Sequence, residues 1–152
     1  MSDPAGEPGA APDVDDFLCF AIYSAGHAFN RVYKPLLEAL DLTYPQYLVI
    51  VALWSKDDQT VGSLGEKLFL ESSTLSPLLK RLEGMGYLTR GRDPFDERQL
   101  RVRLTKAGAA LRAKARDIPA CILEASGLSA DGLRRLQADI SAVRDNLLKA
   151  TK

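Results

Sequence analysis

The sequence predicts a mostly α-helical fold with a small β-hairpin wing, a winged helix-turn-helix that dimerises through its N- and C-terminal helices. Three observations favour this class. Apolar residues recur at helical spacing along most of the chain. Two short capped helices follow one another near the middle. Two short arginine-rich segments come next, and the second of them alternates apolar and polar residues as a strand does.

The first 13 residues hold three prolines, two glycines and three acids, which is typical of a disordered segment, so we expect the folded domain to span 14–152. From Val14 onward the apolar spacing predicts a helix to about Tyr33. Pro35 should interrupt it, leaving a short second helix through Leu40. Thr43 then opens a capping box, which predicts that the apolar run 47–54 is helical.

Two further helices are predicted between residues 63 and 84. Ser63 opens a second capping box and a helix that ends near 68–70. Ser72 or Ser73 should cap the next helix, which glycines end after residue 83. Its leucines lie on one face, and the polar residues available on the other face are Ser73, Thr74, Ser76 and Lys80.

A β-hairpin follows, with strands at 88–92 and 99–104 and arginines on its outer face. Thr105 should cap a helix that reaches Ile118, where Pro119 bends the chain. Ser129 should cap a terminal helix whose apolar residues repeat in a heptad rhythm.

This order of elements predicts binding to double-stranded operator DNA. The 20 basic and 20 acidic residues cancel, yet residues 1–60 hold three basic and nine acidic groups, whereas 61–106 hold nine and six. The second capped helix can enter the major groove and contact bases through its outward polar residues. The hairpin can approach the minor groove through Arg90, Arg92 and Arg98. The alternative is that these arginines only keep the exposed face of a β-ribbon hydrated and do not contact DNA.

The ends of the chain predict a homodimer. We expect a DNA-binding lobe at about 60–106 and dimerisation helices at about 14–40 and 107–150, because the terminal heptad and the first helix offer apolar faces that the lobe does not need. A twofold dimer would present two recognition helices about one DNA turn apart.

Other classes of site are not indicated. No signal peptide or membrane span is found, so we expect a cytoplasmic protein that does not bind membranes. The two cysteines, Cys19 and Cys121, lie outside any zinc-type spacing, so neither a metal nor another cofactor is expected. The thiols are either inert and buried, or a transient regulatory pair.

Two segments resemble the recognition helices and wing of the MarR family of regulators. They are VGSLGEKLFLESSTLSPLLKRLEGMGYLTR and DPFDERQLRVRLTKAG. Asp96 and Arg98 match its wing signature, in which the arginine contacts DNA and the aspartate helps hold the wing. A third segment is similar to the organic-hydroperoxide-sensing OhrR type of this family, namely LCFAIYSAGHAFNRVYKPLLEALDLTYPQYLVI. It places Cys19 before Tyr33 and Tyr44 at the same spacing as the sensing cysteine and its two tyrosines in that type.

The resemblance implies a repressor that binds DNA when reduced and is released when an organic hydroperoxide oxidises Cys19. Tyr33 and Tyr44 would donate hydrogen bonds to the thiolate, which favours the nucleophilic form of the sulfur. Some members of the type carry a second cysteine that forms a disulfide with the partner chain, and Cys121 lies in the corresponding region. Three alternatives stay open: Cys19 and the tyrosines fill a core, a small phenolic or other ligand releases the regulator, or the chain is a thiol peroxidase. The last conflicts with the absence of any βαβ pattern.

Overall fold

The computed structural model describes residues 11–152, so most of the predicted disordered segment 1–13 lies outside the described residues. After a short 3-10 turn at Val14–Asp16, the elements follow in chain order: α1 (Leu18–Glu38), α2 (Tyr44–Ser55), β1 (Gln59–Thr60), α3 (Val61–Leu68), α4 (Ser72–Gly84), β2 (Leu88–Arg92), β3 (Leu100–Leu104), α5 (Lys106–Lys114), α6 (Ile118–Ser126) and α7 (Ala130–Ala150). The three strands form an antiparallel sheet in the order β1-β3-β2. The predicted fold class, helical with a hairpin wing, is confirmed.

The core surrounds α2. This helix is apolar on all sides and packs against α1, α3, α4, α5 and β3, so it is buried as a helix of that composition must be. It begins at the predicted capping box: Thr43 N donates to Gln46 Oε1 at 3.0 Å, and Gln46 N donates to Thr43 Oγ1. Trp54 Nε1 donates to the carbonyl oxygen of Gly108 at 2.9 Å and thereby ties α2 to α5. The core fixes the helices that position the candidate site.

The prediction that Pro35 divides the first helix is wrong, because α1 continues through it to Glu38. Proline lacks the N–H that would bond the carbonyl of Arg31, and this usually breaks a helix interior. Here Pro35 and Arg31 are both exposed, so water can solvate the released carbonyl, while the next turn buries Leu37 in the core. Packing outweighs the lost hydrogen bond.

Two predicted caps are also wrong. Thr60 rather than Ser63 caps α3, since Thr60 Oγ1 accepts from Ser63 N at 3.0 Å while the Ser63 hydroxyl donates to Gln59 Oε1. β1, which was not predicted, causes this, because its pairing with β3 holds the chain extended up to Thr60. Glu71 occupies the cap position of α4 without a side-chain bond, so Ser72 and Ser73 belong to the helix.

The helix predicted from Thr105 to Ile118 ends early. The Thr105 cap is confirmed, with Gly108 N donating to Thr105 Oγ1 at 3.1 Å, but α5 stops at Lys114. Ile118 then starts α6, and Pro119 lies in its first turn, where no N–H is required. The Ser129 cap of the terminal helix is confirmed as well.

The terminal helix α7 stands apart from the core and has no buried residue. Its apolar residues, and those of α1 other than the buried Leu37, remain at least partly exposed, notably Leu18, Ile22, Phe29, Leu136, Ile140 and Leu147. A cation–π contact joins α7 to the end of α3, where the Arg144 guanidinium lies 4.3 Å from the ring centre of Phe69. No helix within residues 11–152 is long and apolar enough to cross a membrane.

Candidate nucleic-acid interface and thiol site

The outward face of α4 carries the predicted recognition residues. Its inner face buries Leu75, Leu79 and Leu82 completely. The opposite face exposes the four polar residues named from the sequence, Ser73, Thr74, Ser76 and Lys80. A tight turn joins α3 to this helix. Glycine at position 65 permits the turn, because a Cβ there would lie 2.7 Å from the Leu70 carbonyl oxygen. The helix is therefore firmly seated and presents hydroxyls and one ammonium group to solvent.

The tip of the wing is organised by Asp93, which the sequence did not single out. Asp93 Oδ1 accepts from the backbone N–H groups of Phe95 and Asp96 at 2.7 and 3.1 Å. Asp93 Oδ2 accepts from Arg101 Nη1 at 2.8 Å. The residue is only 7% exposed, and both oxygens of its carboxylate accept hydrogen bonds, as a buried carboxylate requires. These bonds fix the loop that joins β2 to β3.

The base of the wing is held by a second carboxylate. Asp58 Oδ1 accepts from Arg101 Nε at 2.8 Å and pairs with Arg103 Nε at 3.1 Å, and the Asp58 carbonyl accepts from Arg101 Nη2. Hydrogen bonds from Arg101, above all, lower the pKa of both Asp58 and Asp93 below the usual range of aspartate. We call Asp58, Asp93 and Arg101 the wing clamp. The alternation of Arg101 and Arg103 along β3 is visible in the sequence, but no local pattern indicates that Asp58 and Asp93 are their partners.

The three arginines predicted to meet DNA lie in different environments. Arg98 at the tip is 91% exposed, and its Nε donates to Asp96 Oδ1 at 3.2 Å. Arg92 is exposed and donates to the Glu97 carbonyl oxygen. Arg90 is instead half-buried against Glu83, which accepts from its side chain and backbone and has a lowered pKa as a result. The prediction that the arginines lie on the outer face is therefore wrong for Arg90, which joins the wing to α4. Arg92 lies on the same face of β2 as Arg90, since the two are paired with Leu100 and Val102 of β3.

The two cysteines are separate. Cys19 is exposed in the first turn of α1, and Cys121 is half-buried on α6. Both are free thiols, and within one chain they do not lie close enough for a disulfide. Within residues 11–152 no three histidine, cysteine or acidic side chains gather as a metal site requires.

Tyr33 and Tyr44 lie together at the far end of α1. Their ring centres are 4.7 Å apart, and Tyr47 stacks on the edge of Tyr33. Burial raises the pKa of Tyr33 to about 12, with a smaller effect of Tyr44 and Tyr47, and burial also raises the pKa of Tyr44. Both phenols therefore remain protonated donors at neutral pH. They line a mostly apolar cleft of about 800 Å³ between α1, α6 and α7.

The structure does not bring Cys19 to these tyrosines within one chain. Cys19 and Tyr33 are separated by fourteen residues of the continuous helix α1, which at 1.5 Å per residue is about 21 Å. Tyr44 lies beside Tyr33. A hydrogen bond needs a separation of about 3 Å, so these hydroxyls cannot reach the thiol of their own chain.

A seated helix with polar residues outward, next to a clamped arginine hairpin, defines a winged helix-turn-helix protein of the DNA-binding class. The family model for the transcriptional regulators SarA/Rot matches residues 31–114. The chain belongs to the MarR/SarA family of transcriptional regulators, and is therefore a regulator and not an enzyme.

Named relatives agree with this assignment. The organic hydroperoxide resistance transcriptional regulator of Bacillus subtilis is 42% identical over 134 residues, which cover 88% of this chain and 91% of that protein. The transcriptional regulator TtmR of Methylorubrum extorquens is 45% identical over 134 residues, which cover 88% and 69%.

Solved structures of AbfR from Staphylococcus epidermidis are also similar. Reduced AbfR bound to DNA matches with a TM-score of 0.74 and 34% identity, covering 88% of this chain and 93% of that one. The disulfide-formed AbfR matches with a TM-score of 0.64 and 33% identity, covering 90% and 92%.

Breaking the wing clamp should lower stability in a pH-dependent way. Asp93→Asn removes the charge that Arg101 contacts, so its free energy of unfolding at neutral pH should fall below that of the wild type. Because the pKa of Asp93 is lowered by folding, the charge stabilises the protein above the ordinary aspartate pKa, and this contribution disappears as pH falls through the lowered value. Denaturant unfolding at a series of pH values should show the two curves converging in acid.

Asp96→Asn is the matched control, since Asp96 pairs only with the highly exposed Arg98, and such pairs contribute little stability. A gap between Asp93→Asn and wild type that persisted in strong acid would contradict the role of the charge. Equal effects of the two substitutions at neutral pH would contradict it as well.

Proposed function

We propose that this protein is a homodimeric repressor that binds double-stranded operator DNA when reduced and is released when an organic hydroperoxide oxidises Cys19. The observation that carries the proposal is the placement of Cys19 and the paired tyrosines at opposite ends of α1. An exposed thiol on one chain and protonated phenols on the other form a complete sensing site only when two chains combine.

The DNA-binding half of the proposal rests on α4 and the wing. The exposed hydroxyls of Ser73, Thr74 and Ser76 suit base edges in the major groove, and Lys80 suits a phosphate. Arg98 extends into solvent from a tip that Asp93 holds in place, as a minor-groove contact requires. Arg92 would reach the adjacent backbone, whereas Arg90 keeps the wing attached to α4 and acts indirectly.

The dimer half rests on the uncovered faces of α1 and α7. Both helices are 21 residues long and carry large apolar side chains that remain exposed in one chain. Burying these side chains against a second copy gains roughly 25 cal/mol for each Å² of apolar surface. A twofold axis would cover both faces at once and orient the two recognition helices for half-sites one DNA turn apart.

An antiparallel pairing of two α1 helices would complete the thiol site. In a twofold pair the residue on the axis lies midway between two residues that face each other across it. The midpoint of Cys19 and Tyr33 is Gly26, where an added Cβ would meet nothing within 4 Å in the single chain, and a glycine permits close approach of two helices. Cys19 would then face Tyr33 and Tyr44 of the partner subunit.

The chemistry of this site follows from its parts. Phenolic donors stabilise the Cys19 thiolate, which attacks the terminal oxygen of the hydroperoxide. The O–O bond breaks, the sulfur becomes a sulfenic acid, and the departing alkoxide takes a proton to leave as an alcohol. The apolar cleft beside Tyr33, lined by Ile22, Phe29 and Leu136, suits an alkyl chain.

Cys121 would resolve this sulfenic acid. Its neighbour Ile122 lines a small pocket together with Ala25, Phe29 and Val32 of α1, and α6 contacts α1, so α6 lies along the stretch of α1 that leads to Tyr33. The same antiparallel pairing brings the partner's Cys19 to this region. The Cys121 thiol would attack the sulfenic sulfur, forming a disulfide and releasing water. AbfR, which has been solved in a disulfide form, supports this step.

The disulfide would alter DNA binding by moving α6 and α7. A disulfide requires the two Cα atoms to lie within about 7 Å, so its formation forces α6 toward the partner's α1. α7 follows α6 after a short turn and contacts the α3–α4 turn through Arg144 and Phe69. Movement at the interface would thus reach the recognition helices and change their separation.

Release by a small ligand is the competing function, with Cys19 incidental. The cleft of about 800 Å³ favours it, because its apolar walls and two phenols could hold a small phenolic ligand. This alternative predicts that substitution of Cys19 leaves induction intact.

The docking of the wing and helix is tested by their salt dependence. Arg98→Ala should weaken operator binding and reduce the slope of log affinity against log salt by about one unit per lost phosphate contact. Thr74→Ala should change sequence preference and leave the slope unchanged, because a hydroxyl displaces no counterion. Fluorescence anisotropy with operator and scrambled DNA measures both. Wild-type affinity and slope in both variants would refute this docking.

The roles of the two cysteines separate in the response to peroxide. Cys19→Ser should remain on DNA at hydroperoxide doses that release the wild type. Cys121→Ser should still be oxidised, first to the sulfenic acid and then irreversibly, so dithiothreitol should no longer restore binding fully. Wild type should run as a covalent dimer on a non-reducing gel and return to monomer with dithiothreitol.

Gel shifts with an organic hydroperoxide, and mass spectrometry of the cysteine peptides, measure these outcomes. Release of Cys19→Ser at wild-type doses would overturn the redox proposal in favour of ligand release. A covalent dimer in Cys121→Ser would show that another thiol pair forms the bridge.

A further inference from the structure

The wing tip carries an apolar side chain that packs against nothing in its own chain. Phe95 is 97% exposed, the highest value among the large hydrophobic residues that remain at the surface of residues 11–152. Burial of a phenylalanine side chain stabilises a protein, so full exposure forgoes that stabilisation. The position of Phe95 is not explained by the folding of one chain.

The loop holds Phe95 in a fixed place. Its backbone N–H donates to Asp93 Oδ1 at 2.7 Å, and Asp93 N donates to the Gln99 carbonyl oxygen at 2.9 Å to close the loop. Asp93 is in turn held by Arg101 of the wing clamp. The side chain is therefore presented to solvent from an anchored backbone, which reduces the entropy lost when it binds a partner.

Arg98 lies in the same closed loop. Three residues of extended chain span at most about 11 Å, so Phe95 and Arg98 have Cα atoms within that distance of each other. A DNA groove that receives the Arg98 guanidinium would therefore lie close to Phe95. The side chain is thus continuous with the proposed DNA-binding surface.

We propose that Phe95 is a DNA-contacting residue that buries its ring in the minor groove next to Arg98. The proposal rests on the docking of the wing described above. Phenylalanine is among the side chains that enter minor grooves, where it contacts sugars and base edges and favours steps that open easily. Phe95 would supply apolar contact where Arg98 supplies charge, and it would add a preference for deformable pyrimidine–purine steps at the outer part of each half-site.

Phe95→Ala tests this contact. Operator affinity should fall by about tenfold per wing, and on the order of a hundredfold for a dimer that places both wings. The salt slope should remain at the wild-type value, because no cation is removed. Thermal stability should also be unchanged, since the ring has no contacts to lose. Phe95→Leu is the matched control and should retain most of the affinity, because it keeps an apolar side chain.

A second variant reports burial directly. In Phe95→Trp, the new indole should be quenched by iodide in the free protein and protected when operator DNA is added. The same measurement on wild type supplies the constant contribution of Trp54.

Two results would overturn the inference while leaving the docking intact: Phe95→Ala binding operator as tightly as wild type when Arg98→Ala is weakened, or an indole at residue 95 that iodide still quenches in the complex. An effect of Phe95→Ala on dimer dissociation with unchanged affinity of the dimer for DNA would assign the ring to the partner chain instead. If Arg98→Ala also binds normally, the docking of the wing itself fails.

Discussion

An α-helix keeps two residues fourteen positions apart at a separation of about 21 Å, and α1 carries Cys19 near one end and Tyr33 near the other. This fixed length keeps Cys19 away from Tyr33 and Tyr44 of its own chain, the residues we propose as donors to its thiolate. We propose that the pairing of chains that buries the exposed apolar surface of α1 and α7 would also bring the two halves of the site together. Sensing and dimerisation would then depend on one interface.

Ion pairs tie the hairpin to the elements around it. The wing clamp joins the hairpin to the turn before β1, and the pair of Arg90 with Glu83 joins it to α4. These ion pairs are partly withdrawn from solvent, with side chains 9–45% exposed, so removal of one partner leaves a less well solvated charge. We propose that α3, α4 and the hairpin, held together in this way, would respond to a change at the dimer interface by a change of position and not of internal shape. The contact of Arg144 with Phe69 connects α7 to the end of α3.

Sequence reasoning succeeded where the signal was local. The caps at Thr43, Thr105 and Ser129 depend on residues three positions apart, and the polar face of α4 depends on helical spacing alone. It failed where a distant partner decided the outcome. Pro35 is tolerated because its neighbours are buried in a core the pattern cannot show, and Thr60 replaces Ser63 as a cap because a strand forty residues away holds it extended. Asp58 and Asp93 escaped notice for the same reason. The separation of Cys19 from Tyr33 was already implied by the helix predicted from Val14 to about Tyr33, whereas the packing of Tyr44 beside Tyr33 depends on a tertiary contact.

The claim that the thiol site is shared between chains is tested most directly with mixed dimers, purified through two different tags. In the first, one chain carries Cys19→Ser and the other carries Tyr33→Phe with Tyr44→Phe, so the remaining Cys19 faces intact tyrosines of its partner. In the second, one chain carries all three substitutions and the other is wild type. Sulfenic acid trapping should show wild-type rates of oxidation per remaining thiol in the first dimer and rates at least about tenfold lower in the second. Slow oxidation in the first dimer with fast oxidation in the second would place the site within one chain. Equal rates in the two dimers would show that the tyrosines do not affect oxidation of Cys19.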